Sequence, residues 1–188
     1  LGELPKRASD VLERRFGIGK ATKRQTLEAI GKRYKITRER VRQIERDSIQ
    51  RVRKGHVYAE LAPLFASFND AVAAVGSVVR EDTLLGMFEK DRSVGNEVRF
   101  LFTLAPQLIH RGETDAFQAR WGISDVTMDA VERALSHVAG AALEKQRTMS
   151  YQELSGAVST ALAQYAILEV DPAAVACYLA ISKYIDEN

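Results

Sequence analysis

Arg38, Glu39, Arg42 and Gln43 fall within six residues of one another in the stretch TRERVRQIERDSIQRVRK, residues 37–54. Each of these side-chain types can read the edge of a nucleobase. An arginine offers two donors to guanine O6 and N7 in a major groove, a glutamine bonds adenine N6 and N7, and a glutamate accepts from cytosine N4. Further along, Arg46, Arg51, Arg53 and Lys54 suit phosphate oxygens, which position a protein without reading sequence. Ten of the eighteen residues carry charge, seven of them positive. The bland alternative is a solvated helix laced with i,i+4 pairs such as Glu39–Gln43. Arg42 and Arg46 are also four apart, however, and stack as a repulsive pair that calls for an absent anion.

Such side chains need an element to hold them. Thr37 is a good N-cap, and Ile36 and Val41 stand at the two positions of a hydrophobic staple, so a helix starts here. At about 100° per residue, Ile44, Ser48 and Val52 fall within about 60° of Val41. Glu39, Arg42, Gln43 and Arg46 gather on the other side, left for an external partner. Two helices precede it. LPKRASDVLERRFGI puts Leu4, Ala8, Val11, Leu12 and Phe16 on one face, with Pro5 in the first turn and Gly17 and Gly19 ending it. TLEAIGKRY is shorter, with a stripe of Leu27, Ile30 and Tyr34 and with small Ala29 and Gly31 for close approach of a neighbour. About three residues, YKIT, then break the pattern, the turn length of a helix-turn-helix.

Charge divides the chain in the same place. Residues 1–54 contain 17 Lys/Arg against 7 Asp/Glu, a net of +10; the other 134 contain 10 against 18, a net of −8. The overall +2 hides this division. A basic partner-seeking surface is confined to the first part, and the acidic remainder would repel a phosphate backbone. The single cysteine, Cys177, allows no internal disulfide, and His56, His110 and His137 lack ligand spacing, so surface or boundary positions are expected for them and no metal or cofactor is. No apolar run reaches the ~18 residues of a membrane span and no signal-peptide pattern opens the chain, so a cytoplasmic location and no membrane partner are expected.

The string TLEAIGKRYKITRERVRQIERDSIQRVRK, preceded by LPKRASDVLERRFGIG, resembles region four of bacterial primary-type sigma factors, over about residues 1–54. That resemblance implies double-stranded DNA with a promoter −35-like element as partner, and docking on the β flap of RNA polymerase core. By the same resemblance Arg38, Glu39, Arg42 and Gln43 meet bases, and Thr37, Arg40 and Arg46 are backbone or supporting contacts. Lys32 and Arg33 on the preceding helix join Arg51, Arg53 and Lys54 in the phosphate set. The departures are a following stretch of about 130 residues, where region four normally ends the chain, and the absence of any match to region two. This chain alone is not expected to melt a promoter. Leu1 is not an initiator methionine, which leaves an upstream module open.

The remainder is expected to be helical with one hairpin. HVYAELAPLFASFNDAVAAVGSVV reads as one long helix carrying Leu61, Leu64, Phe65, Phe68, Val72 and Val75. A short helix at Thr83 to Phe88 and one from Ser93 to Leu104 follow. In QLIHRGETDAFQARW, Gly112 makes a turn and Phe117, Ala119 and Trp121 alternate with Gln118 and Arg120, a hairpin pattern. A second pass starts at Asp125, with a capping box of Ser150 and Glu153, a staple of Met149 and Leu154, and a last helix begun by Asp171 and Pro172 with Val170 and Val175 as its staple. The expected fold is therefore mainly α, an N-terminal helix-turn-helix at 1–55 followed by winged-helix-like helical units with one short β-hairpin. Those units are 56–123, with the hairpin at about 107–121, and an incomplete second one at 124–188. This tail is distantly similar to stretches between a sigma-like helix-turn-helix and a further winged helix in some bacterial regulators.

The tail helices offer few cations, Arg99 in one and Lys183 in another, so protein contact or self-association through Phe100, Phe102, Tyr178 and Tyr184 is the expectation, against the plainer reading that these aromatics fill cores. No nucleotide-loop, metalloprotease or nucleophile-elbow motif occurs, the pairs Glu81–Asp82 and Glu89/Asp91 read as solvated turns, and no catalysis is expected. Three functions remain: a promoter-reading, sigma-like regulator; a polymerase-binding accessory protein that uses the module as a protein hook; and a nonspecific architectural DNA binder.

Overall fold

The structure, a computed structural model, describes residues 1–2, 4–21, 23–89, 94–144, 148–167 and 170–185. It is mainly helical with one small antiparallel sheet. Contacts group the chain into two compact units, one of residues 1–66 with 88–106 and one of residues 67–87 with 107–188. The segment 56–123, expected to be one winged-helix-like domain, thus contributes to both.

In the first unit, α1 (Lys6–Phe16) buries Val11, Leu12 and Phe16 and closes on Gly17, whose φ of 70° makes a left-handed C-cap. α2 (Leu27–Tyr34) starts where the Thr26 hydroxyl accepts a hydrogen bond from the Ala29 amide, and α3 (Arg38–Lys54) where Thr37 does the same for Arg40. Three residues, Lys35 to Thr37, separate α2 from α3. Val11, Ile30 and Val41, one from each helix, are fully buried together, with Leu27, Tyr34, Ile36 and Ile44 around them. The apolar stripes therefore do what their spacing implies. Gly31 is where the turn folds back on α2: a Cβ there would sit 2.7 Å from the Ile36 carbonyl oxygen. Ala29, by contrast, is exposed.

The long helix expected over residues 56–79 is interrupted twice. Leu61 separates α4 (His56–Glu60) from α5 (Ala62–Ala74), and after α5 the chain turns through Gly76 and Ser77, both at positive φ, into β1 (Val78–Arg80). The turn demands glycine at 76, since a Cβ would meet Ala174 Cβ at 2.5 Å. The β-branched pair Val78–Val79 is better suited to a pleated strand than to a helix end. α6 (Glu81–Phe88) and α7 (Gly95–Leu104) follow; Ser93 and Asp91 lie outside the described residues. β2 (Ile109–Arg111) and β3 (Arg120–Gly122) form the expected hairpin, in the register His110 opposite Trp121, and β1 pairs with the far side of β3. These elements run helix, strand, helix, helix, hairpin along the chain, but α7 groups with residues 1–66 while the strands group with residues 107–188.

β3 is buried on both faces, and the alternation that put Arg120 on a polar face is corrected accordingly. Arg120 is 3% exposed and its Nε donates to Glu132 Oε1 at 2.7 Å, so the cation is buried with its counterion. α8 (Asp125–Glu144), α9 (Tyr151–Ala163) and α10 (Pro172–Ile181) pack with this sheet around a single core that includes Val78, Phe117, Met128, Leu135, Leu162 and Tyr178. The capping box of Ser150 with Glu153 and the Asp171 cap ahead of Pro172 are both formed. Gln118 donates to Ile181 and Lys183 to Ala116 across the main chain, which ties the end of α10 to the hairpin. No boundary between cores falls at residue 124, because helical periodicity shows which face is apolar and not which element covers it.

Candidate nucleic-acid interface

Placement of the base-reading candidates begins at the Thr37 cap. The Thr37 hydroxyl holds the first turn of α3, with the Arg40 amide at 3.1 Å, and Val41 at 0% and Ser48 at 2% exposure seat the helix. Ser48 is a polar group in this stripe and is satisfied by donating to the Ile44 carbonyl at 2.6 Å. Arg15 of α1 braces the far side, donating to Glu45 Oε1 and the Gln25 carbonyl at 3.3 Å each. On the outer face Arg38, Glu39 and Arg42 are exposed and Gln43 half-exposed, all within the first turn and a half.

These side chains are not idle. Arg42 grips Glu39 through two bonds, Nε to Oε2 at 2.8 Å and Nη2 to Oε1 at 2.7 Å. The hydrogen bond from Arg42 holds the Glu39 carboxyl below the usual carboxylate range, and Glu39 in turn raises the Arg42 guanidinium. Arg40 Nη1 donates to Gln43 Oε1 at 3.1 Å, and Arg38 Nε lies 3.3 Å from Glu28 Oε1 of α2. Arg46 has Asp47 at 3.9 Å. Arg42 and Arg46 therefore do not stack as an uncompensated pair, since each has a carboxylate at hand, and the +10 net charge of residues 1–54 is the sounder sign of an anionic partner.

Among the phosphate candidates, Lys32, Arg33, Arg51, Arg53 and Lys54 are all exposed. Arg40 and Arg51 line a groove of about 340 Å³ between α1 and α3, and Arg7 of α1 joins them there. Arg7 was missed from sequence because only its charge was visible, and no spacing rule links α1 to α3. Arg53 is placed elsewhere, with its guanidinium on the Thr103 and Leu104 carbonyls at 2.9 and 3.2 Å.

In the tail, Phe100 at 8%, Phe102 at 0% and Tyr178 at 2% exposure fill cores, so they cannot form the self-association surface expected of them; Tyr184 at 56% is exposed. His56, His110 and His137 are exposed, as expected. Among the described residues no His, Cys, Asp and Glu group could hold a metal ion, and no helix is long and apolar enough to cross a membrane.

A short capped helix, a three-residue turn and a longer capped helix with a charged outer face define a helix-turn-helix module. By comparison, residues 1–54, under a third of the chain, match sigma-70, region 4. RNA polymerase sigma factor SigA of Lactococcus lactis subsp. cremoris is 46% identical over 50 residues, which is 27% of this chain and 14% of that protein. The SigA of Lactococcus lactis subsp. lactis (strain IL1403) is likewise 46% identical over 50 residues, 27% of this chain and 13% of its own length. The match thus spans about a seventh of those relatives. No solved structure matches the chain.

Proposed function

We propose that this protein is a sequence-specific, sigma-like DNA-binding regulator of transcription that reads a −35-type promoter element through α3 in the major groove. The observation that carries this reading is the first turn and a half of α3, where Glu39, Arg42 and Gln43 face away from the buried Val41 and Ser48 and Arg38 is exposed at the helix start. This is the portion of a recognition helix that reaches base edges. Arg38 and Arg42 suit guanine, Gln43 adenine and Glu39 cytosine. The Glu39–Arg42 pair orders both side chains before contact, so each exchanges one partner for a base rather than being ordered from solvent. Thr37, Arg40, Arg46, Arg51, Lys54, Lys32 and Arg33 supply backbone contacts, with Arg7 beside Arg40 and Arg51. Contact with RNA polymerase belongs to the same proposal and is supported by the relatives, whose names place them as polymerase sigma factors.

Selection from random duplexes with the full chain tests it. A −35-type sequence should be enriched. Retention of all sequences alike, with affinity set by salt alone, would show phosphate binding without reading.

A further inference from the structure

The family match stops at Lys54, but the compact unit that contains it does not, since it also takes in residues 88–106. α7 lies in that added stretch and is tied to the module at both ends. Near its start, Asn96 Nδ2 donates to the Gly17 carbonyl at 3.2 Å, where α1 ends. In its middle, Phe100 meets Phe16 edge to face, with centroids 4.9 Å apart. At its end, Arg53 Nη2 and Nε donate to Thr103 and Leu104 carbonyls, and Tyr58 Oη donates to Leu104 at 2.9 Å. The last carbonyls of a helix lack partners within it and carry partial negative charge. A planar guanidinium meets two of them with donors in a fixed fork, a geometry that the rotating, point-like ammonium of a lysine does not reproduce.

We propose that α7 is the fourth helix of the DNA-reading head and that Arg53 is its latch, a positioning residue rather than a phosphate contact. This rests on the reading of the module as DNA-binding. α3 buries only Val41 and Ser48 fully, both in its first two-thirds; in its last turn Val52 is half-buried and the exposed Arg53 adds two bonds to the end of α7. The latch sets the angle at which the first turn of α3 meets a groove. The reading head is residues 1–66 with 88–106, and the 54-residue match is a part of it.

The full chain carrying Arg53→Lys or Arg53→Gln separates the two roles. Lysine keeps the charge and loses the two-donor fork; glutamine loses the charge. Hydrogen exchange across Gly95–Leu104 reports on the latch, and the slope of log affinity against log salt counts phosphate contacts. The latch requires faster exchange in both variants, severalfold weaker binding in both, and an unchanged slope. A slope that falls by about 0.9 with glutamine alone, lysine matching the original chain and exchange unchanged, would make Arg53 a phosphate ligand and overturn the proposal. If the original chain binds no DNA the reading-head assignment falls with the DNA reading, whereas unchanged exchange in both variants overturns the latch by itself.

Discussion

Glu39 and Arg42 show how a single residue can be prepared for a partner that is absent. Each is about half exposed, and each holds the other through two hydrogen bonds. Arg38, beside Glu28 at 3.3 Å, and Gln43, which accepts from Arg40, lie outside the two-bond Glu39–Arg42 pair and are the cleaner probes of base reading. Arg38→Ala or Gln43→Ala should cost about 1–3 kcal/mol of binding and relax preference at one base pair, measured by titration against duplexes substituted position by position. Equal weakening on every duplex would show that neither residue reads. A different residue illustrates inertness. Burial raises the Cys177 thiol above its ordinary value, so less thiolate is present at neutral pH in the folded chain than in the unfolded one. Iodoacetamide should therefore modify Cys177 more slowly in buffer than in urea, and equal rates would contradict this placement.

Elements whose ends are set by local chemistry were legible in the sequence. Thr37, the Ser150 with Glu153 box and Asp171 ahead of Pro172 all start helices where the residue types say they should. Thr37→Ala should lower stability by about 1 kcal/mol in a urea titration, since the Arg40 amide loses its acceptor. Gly31→Val should cost about 1–3 kcal/mol, because the new side chain meets the Ile36 carbonyl and the turn must shift. A variant as stable as the original would show that the turn has slack. What the sequence did not reveal depends on distant partners. β1 was hidden at the end of an apolar run with helical spacing, where the β-branched pair Val78–Val79 is only a short signal, and its pairing with β3 is what makes it a strand. Arg120 alternates with apolar neighbours as a surface residue would, yet Glu132, twelve positions away, makes its burial tolerable. The base-reading residues were legible because they lie on one helix. Arg7, which reaches their neighbourhood from α1, and Arg53, which turns to α7, were not, because sequence gives a cation its charge and not its direction.

At the scale of the whole molecule the division of charge matters more than any pair. The net of +10 on residues 1–54 and −8 on the rest means that an approaching duplex meets attraction and repulsion from one chain. Long-range terms of this kind act on the rate of encounter more than on the lifetime of the complex, and they fade once charges stand further apart than the screening length. That length is about 30 Å at 0.01 M salt and about 8 Å at 0.15 M. Asp70, Asp115 and Glu144 are exposed acids of the second unit, remote in sequence from α3. A triple variant with Asp70→Asn, Asp115→Asn and Glu144→Gln lowers the negative charge by three and leaves the module untouched. Stopped-flow association with a labelled duplex should be severalfold faster for the variant at 0.01 M salt and indistinguishable from the original at 0.15 M, with dissociation unchanged at both. An advantage that persists at 0.15 M would mean that these carboxylates act at short range, as a cover over the basic face, and a change confined to dissociation would mean that they touch the bound duplex. Only convergence at higher salt identifies the acidic tail as a distant field, one that slows nonspecific capture while leaving the contacts of α3 to decide which sequence is kept.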